Sequence, residues 1–237
     1  MTQKLTMRLT PALVALCHRV VEDAGPVPNV TAVGDAEFRP AARDILSRRG
    51  AGPVWLFAYG SLIWKPEVPH EELRRATAQG WHRAFSMRIL RYRASLAQHG
   101  YMMCLDPGGT CEGVVLRLPE DGIEDLMEKL LRREISRRAG LEAVRWIDVE
   151  TAEGAIKALA FYAGPDMLDS YQANRPLGEV AHGLARACGH WGSGADYLFN
   201  TVSHLEQLGI HDEGLWQLQE LVAAEIEGLY GAAARSG

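Results

Sequence analysis

Two places in this chain carry residue types whose spacing can do chemistry. The first is Val54 to Trp64, VWLFAYGSLIW, an apolar strand-like run that breaks at Tyr59-Gly60-Ser61 and then resumes as a second apolar run. A glycine at the break removes the side chain that would hold a ligand off the main chain. Ser61 and Leu62 can then turn their N–H groups toward a carboxylate or a carbonyl oxygen. The same residues also read as a plain turn between two buried strands. A serine nucleophile fits less well, because the second glycine of G-x-S-x-G is missing and no strand-to-helix elbow is evident. Ser61 therefore reads as a binding residue.

The second place is an acid at the end of a helix. From about Glu120 to Ile135, Ile123, Leu126, Met127, Leu130 and Leu131 form one stripe at helical spacing. Continued by one turn, the stripe reaches Glu134, while Glu124, Asp125, Glu128, Lys129, Arg132 and Arg133 take the opposite side. A carboxylate turned inward needs a partner, a raised pKa or a chemical task. The other reading is a frayed last turn that leaves Glu134 in solvent beside Arg137 or Arg138. Arg88, Arg91 and Arg93 alternate in MRILRYRAS as strand residues do, and either a carboxylate clamp or a solvated edge fits them.

The elements that must position these residues follow from periodicity and punctuation. Helical spacing runs from about Thr10 to Asp23 and from Phe38 to Arg49, giving an N-terminal helical arm over residues 1–53 before a main region at 54–237. Strand candidates are Val54 to Tyr59, Gly80 to Arg88, Tyr101 to Leu105, Gly113 to Leu118, Ala143 to Val149 and Ala155 to Ala163. Asp106-Pro107-Gly108-Gly109 reads as a hairpin turn between the third and fourth, with buried Cys104 and Cys111 near its base. Three more helices follow, from about Leu177 to Cys188, Gly194 to Leu208 and Glu213 to Tyr230, with Ser193 as an N-cap and Gly209 as a stop. The fold expected is α+β: a small mixed β-barrel of about six strands, flanked by helices, with N-terminal and C-terminal helical segments.

Composition narrows the function. A net charge of −5 and the lack of a basic face argue against nucleic acid. The cluster Arg132, Arg133, Arg137 and Arg138 is interleaved with acids and reads as a solvated helix face. Cys17, Cys104, Cys111 and Cys188 form no C-x-x-C and no metal-ligand spacing, and the histidines form no H-E-x-x-H, so a reducing cytoplasm and no metal are expected. The first apolar stretch is too short and too interrupted for a membrane span.

Taken together, FAYGSLIWKPE, GWHRAFSMR, LDPGGTCEGVVLRL, LLRREI and GHWGSGADYLFNTVSHLEQLGIHD, in that order, resemble the ChaC-type γ-glutamylcyclotransferases. The resemblance runs from Val54 to about Leu221. It implies a small barrel enzyme, without metal or organic cofactor, that cleaves glutathione to 5-oxoproline and cysteinylglycine. Tyr59, Gly60, Ser61 and Leu62 match the loop that holds the γ-glutamyl group, and Glu134 matches the family's essential glutamate. Arg88 and Arg93 are the expected contacts for a substrate carboxylate. The chain departs from the family at Arg93-Ala94-Ser95, where relatives carry R-G-T or R-G-S, and at Ser136 to Gly140, where many have a Gly-Tyr segment.

The implied chemistry suits these residue types. The γ-glutamyl α-amine must attack its own γ-carbonyl carbon, yet at neutral pH it is mostly protonated, so a base is needed. A carboxylate in a partly apolar pocket can take that proton and return it to the departing amine. The N–H groups near Gly60 to Leu62 suit either the oxyanion or the α-carboxylate. Two other readings share this pocket: a cyclotransferase for a different γ-glutamyl amine or dipeptide, separable by a substrate panel, and a non-catalytic regulatory protein, to which an inward acid is ill suited.

Overall fold

The computed structural model describes residues 6–162 and 170–234. They divide into two compact units. A barrel unit contains Pro28–Ala84 and Met103–Tyr171, and a helical unit contains the described residues up to Val27, Phe85–Met102, and the chain from Gln172 onward. The N-terminal arm is thus shared between the two, with Asp35–Ser47 (α2) in the barrel unit and Pro11–Leu16 (α1) in the helical one.

The barrel is built from Trp55–Ala58 (β1), Glu72–Ile89 (β2), Gly100–Arg117 (β3), Val144–Thr151 (β4) and Gly154–Phe161 (β5), closed in the order β1-β3-β2-β4-β5. The strand β1 runs antiparallel to β3, pairing Trp55 with Arg117 and Ala58 with Val114, and parallel to β5, pairing Leu56 with Leu159. All four residues of β1 are buried, as expected for a strand covered on both faces. Trp55 and Phe57 point into a core with Ala76, Ala78, Leu105, Val115, Ile147 and Ala158.

Six strands were expected and the barrel has five, because β3 does not break at Asp106-Pro107-Gly108-Gly109. Gly108 and Gly109 adopt φ values of 96° and 72°, a conformation glycine tolerates, and the strand continues through them rather than reversing. The local partners lie on β2: His82 Nδ1 is 2.9 Å from the Gly108 carbonyl, and Thr110 Oγ1 donates to Gln79 Oε1 at 2.9 Å. Ala163, the last residue of the expected final strand, lies outside the described residues.

Between β1 and β2 stands one helical turn, Ser61–Trp64 (α3), and between β3 and β4 a helix, Ile123–Glu134 (α4), followed by a 3-10 turn at Arg138–Ala143. The apolar run after Gly60 is α3, not the second buried strand of the plain-turn alternative, and the chain does pass from strand to helix there. Helix α4 buries Met127, Leu130 and Leu131, and α2 buries Phe38, Ala42, Ile45 and Leu46. The two helices pack together, with Arg39 reaching Asp125 at 2.6 Å and Glu128 at 2.7 Å across their polar edges. Trp146 Nε1 of β4 donates to the Ile45 carbonyl at 3.1 Å, fastening α2 to the barrel wall.

The helical unit holds Leu177–Arg186 (α5), Gly194–Gln207 (α6) and Glu213–Ala234 (α7), with a two-stranded sheet of Cys188–Gly189 (β6) and Gly192–Ser193 (β7). Ser193 caps α6 by accepting from Asp196 N at 3.1 Å, and Gly209 (φ 70°) follows the helix as its stop. Helix α1 ends at Leu16 rather than near Asp23. Beyond it the chain finds other partners: Cys17 Sγ donates to the Ala185 carbonyl at 3.2 Å, the Arg19 guanidinium donates to the Arg186 carbonyl, and Asp23 pairs with Arg91 at 2.5 and 2.7 Å. All four cysteines are buried and none is in a disulfide. No helix is long and apolar enough to cross a membrane among the described residues.

One close approach fixes the end of β1 against β3. A Cβ on Gly113 would lie 2.5 Å from the Ala58 carbonyl oxygen and 3.1 Å from the Phe57 ring. Only glycine lets β3 come this near the end of β1. Gly113→Ala is expected to cost about 2–3 kcal/mol of stability, because backbone must move to admit the methyl group. An unchanged urea midpoint would show that β1 and β3 can separate there at no cost.

Candidate active site

The turn at Tyr59 to Leu62 is built from both sides of the barrel wall. Tyr59 leaves β1 with its hydroxyl donating to the Phe161 carbonyl at 2.8 Å, at the end of β5. Its own carbonyl accepts from Arg83 Nη1 at 2.7 Å, and Arg83, on β2, is only 8% exposed. Gly60 (φ −140°, ψ −127°) then enters α3, whose hydrogen bonds begin with Ile63 N to Gly60 O at 3.0 Å and Lys65 N to Ser61 O at 2.8 Å. The first bond within the turn comes at Ile63 N, so the turn itself does not use the N–H groups of Ser61 and Leu62. Leu62 packs its side chain inward at 4% exposed and so anchors the turn.

Glu134 is the last residue of α4, and the chain is extended at Ile135. Its side chain is 21% exposed and does not fray toward the arginines that follow. Arg138 pairs with Glu37 at 2.7 Å, and Arg137 donates to the Ser170 hydroxyl at 3.2 Å. The acid is therefore held at the edge of the barrel unit, as the apolar stripe anticipates. Burial pushes its carboxyl pKa up, the Arg133 charge opposes that, and the nearby Glu67 charge adds to it. The position itself works in the same direction, since the negative end of the helix dipole disfavours a carboxylate in the last turn.

Arg133 is the element that periodicity misplaces. Expected on the solvated face, it is only 12% exposed at the side chain and lies between two carboxylates. Its Nη1 is 2.9 Å from Glu134 Oε1, and its Nε is 3.2 Å from Glu67 Oε2. The same Nη1 donates to the Pro66 carbonyl at 3.3 Å. Pro66 and Glu67 lie just past α3, so this one guanidinium links the segment that follows the turn to the residue beside Glu134. Lys65, 3.0 Å from Glu67 Oε1, holds Glu67 from its other side. Its hydrogen bond is the main cause of a lowered Glu67 pKa, with Arg133 contributing. Two neighbouring acids thus have proton affinities displaced in opposite directions.

Arg88 and Arg93 fall in the helical unit. The strand β2 ends at Ile89, so the alternation through Arg91 and Arg93 is not that of a strand. The chain turns instead, with Tyr92 at φ 68°. Arg93 is occupied with Asp196 at 2.6 Å, the Ser193 carbonyl at 2.9 Å and the Tyr197 ring at 5.4 Å, which fixes the start of α6. Arg88 stands near His99, whose pKa burial and then the Arg88 charge push down.

Three polar residues of the barrel unit carry no sequence signal for the places they take. Arg83 lies inside the strand motif GWHRAFSMR, where its burial depends on the Tyr59 carbonyl across the sheet. Asp106 looks like a turn former but is 3% exposed in β3. It hydrogen-bonds Tyr171, whose pKa burial, followed by the Asp106 charge, pushes up to about 12. Glu67 carries no periodic signal at all. Among the described residues no group of three or more His, Cys, Asp or Glu is placed to hold a metal ion.

The profile of the family described as ChaC-like protein matches residues 54–225. The chain is 36% identical over 183 residues to the glutathione-specific γ-glutamylcyclotransferase of Escherichia coli K12, covering 76% of this chain and 78% of that protein. It is 30% identical over 178 residues to γ-glutamylcyclotransferase 2-3 of Arabidopsis thaliana, covering 71% of this chain and 88% of the relative. A solved structure of a yeast γ-glutamyl cyclotransferase specific to glutathione shares the fold, with a TM-score of 0.64 at 20% identity, over 73% of this chain and 96% of that one. The matched span takes in β1, the Tyr59 to Leu62 turn, Arg133 and Glu134, and on that ground the chain belongs to the ChaC-like protein family.

Proposed function

We propose that this protein is a γ-glutamylcyclotransferase that cleaves glutathione, with Glu134 as the general acid/base and the Tyr59 to Leu62 turn as the cradle of the γ-glutamyl group. The observation that carries the reading is a largely buried carboxylate with a raised pKa, tied through Arg133 to the segment that leaves that turn. The names of the E. coli, Arabidopsis and yeast relatives point to the same reaction class.

In this reading Glu134 accepts a proton from the substrate's α-ammonium group. The freed amine attacks the γ-carbonyl carbon, and the five-membered ring of 5-oxoproline begins to close. Negative charge that grows on the carbonyl oxygen is met by main-chain N–H groups at the start of α3, which are fixed before substrate arrives and need no reorganisation. The C–N bond to the cysteinyl nitrogen then breaks. Glu134 returns its proton to that nitrogen, the ring nitrogen gives up its remaining extra proton to water as the lactam forms, and cysteinylglycine leaves as the amine. Because nucleophile and electrophile belong to one molecule, holding the γ-glutamyl chain in a ring-closing conformation supplies much of the acceleration. The base needs only to be matched to its task, and a carboxylate with a raised pKa is better matched than one in open water.

Glu134→Gln tests both the role and the environment. Turnover of millimolar glutathione, followed as equal formation of 5-oxoproline and cysteinylglycine by mass spectrometry, is expected to fall about 100-fold or more. Wild-type-like turnover in this variant would sink the assigned role. The same substitution reports on burial. Between the ordinary carboxylate pKa and the raised one, the folded protein keeps a proton that the unfolded chain has released, so stability falls as pH rises through that window. Glu134→Gln should therefore be no less stable than the wild type at pH 7 and should lose that part of the pH dependence. A marked loss of stability at pH 7 would mean that the ionised carboxylate is a net structural contact instead.

A further inference from the structure

Glu67 has a backbone conformation that needs an explanation. Its φ is 55°, in the left-handed region that residues with a Cβ seldom adopt and that persists only where surroundings enforce it. Here the side chain supplies the restraint: Oε1 is 3.0 Å from Lys65 Nζ and Oε2 is 3.2 Å from Arg133 Nε.

The consequence falls on Glu134. A guanidinium offers its donors in a rigid fork, and a carboxylate that receives two parallel bonds from one fork is held strongly in its ionised form. Arg133 does not give Glu134 that grip. Its Nε faces Glu67, its Nη1 hydrogen bond goes to the Pro66 carbonyl, and Glu134 meets the same Nη1 as a charge contact through Oε1 at 2.9 Å. The charged groups that face the array are Lys65, Lys129 and Arg133 toward Glu67, and Arg133 and Glu67 toward Glu134.

Building on the reading of Glu134 as the base, we propose that Glu67 is a positioning residue of this site: it occupies the Nε edge of Arg133, keeps the guanidinium from closing as a fork on Glu134, and ties the segment after the Tyr59 to Leu62 turn to the end of α4. Without Glu67, Arg133 is free to swing onto Glu134 and hold it as a carboxylate, which makes it a weaker base.

The test is the carboxyl titration of Glu134, read by NMR on protein labelled with carbon-13 at the glutamate carboxyl and assigned by its loss in Glu134→Gln. In Glu67→Gln the midpoint is expected to move to lower pH, and in Glu67→Asp, which keeps the charge, to stay near the wild-type position. In parallel, the acid limb of kcat/KM for glutathione should move down in Glu67→Gln, and kcat should fall roughly three- to tenfold. Glu67 is 42% exposed at the side chain, so the isosteric amide leaves the fold intact. A lowered thermal midpoint with an unmoved Glu134 titration overturns the inference and reduces Glu67 to a structural contact. If the titration moves but the wild type does not turn over glutathione, the coupling stands and the cyclotransferase reading fails. If the wild type turns over and the titration does not move, the reverse holds.

Discussion

A carboxylate taken out of water at the end of a helix is unfavourable unless something limits its charge, and the barrel unit is organised around that constraint at Glu134. The negative end of α4 and burial both discourage ionisation, while the adjacent Arg133 supports it. The balance leaves an acid whose proton affinity lies above that of an exposed glutamate or of one paired with a guanidinium fork. Because Arg133 also reaches Pro66 and Glu67, the proton affinity of the acid and the placement of the segment beyond the turn depend on one guanidinium.

The barrel makes that possible by being rigid where the turn leaves it. The strand β1 is short but buried on both faces and paired on both edges, so Tyr59 emerges from a fixed point. The Tyr59 hydroxyl and carbonyl are each held by a partner from another strand, Phe161 and Arg83. A loop restrained in this way can keep main-chain donors aimed in one direction, which is the preorganisation that stabilisation of a developing charge requires.

Much of this was legible in the sequence, and the misses have physical causes. The apolar stripe of α4 located Glu134 because helix periodicity continues through the last turn, and the run before Tyr59 located β1 because an unbroken apolar tetrapeptide fits a strand covered on both faces. Ser193 was legible as a cap because capping is local. Asp106-Pro107-Gly108-Gly109 misleads because its composition is that of a hairpin turn, whereas β3 runs on through it between its two barrel neighbours. Alternation suggested that Arg91 and Arg93 continue a strand, but Asp23 and Asp196, each distant in sequence, draw them into separate ion pairs. Arg133 was assigned to solvent by the same periodicity that found Glu134. Its burial rests on Glu67, a contact between residues 66 positions apart that no local pattern encodes.

The pH dependence of kcat/KM for glutathione with the wild-type protein is the decisive measurement for Glu134, because its acid limb reports the ionisation of the base in the free enzyme. A limb with an apparent pKa above the ordinary glutamate value of about 4.3 is expected, with activity lost as pH falls through it. A limb at or below that value, or a rate that does not fall with acidity while the protein remains folded, would contradict a base held partly out of water at Glu134.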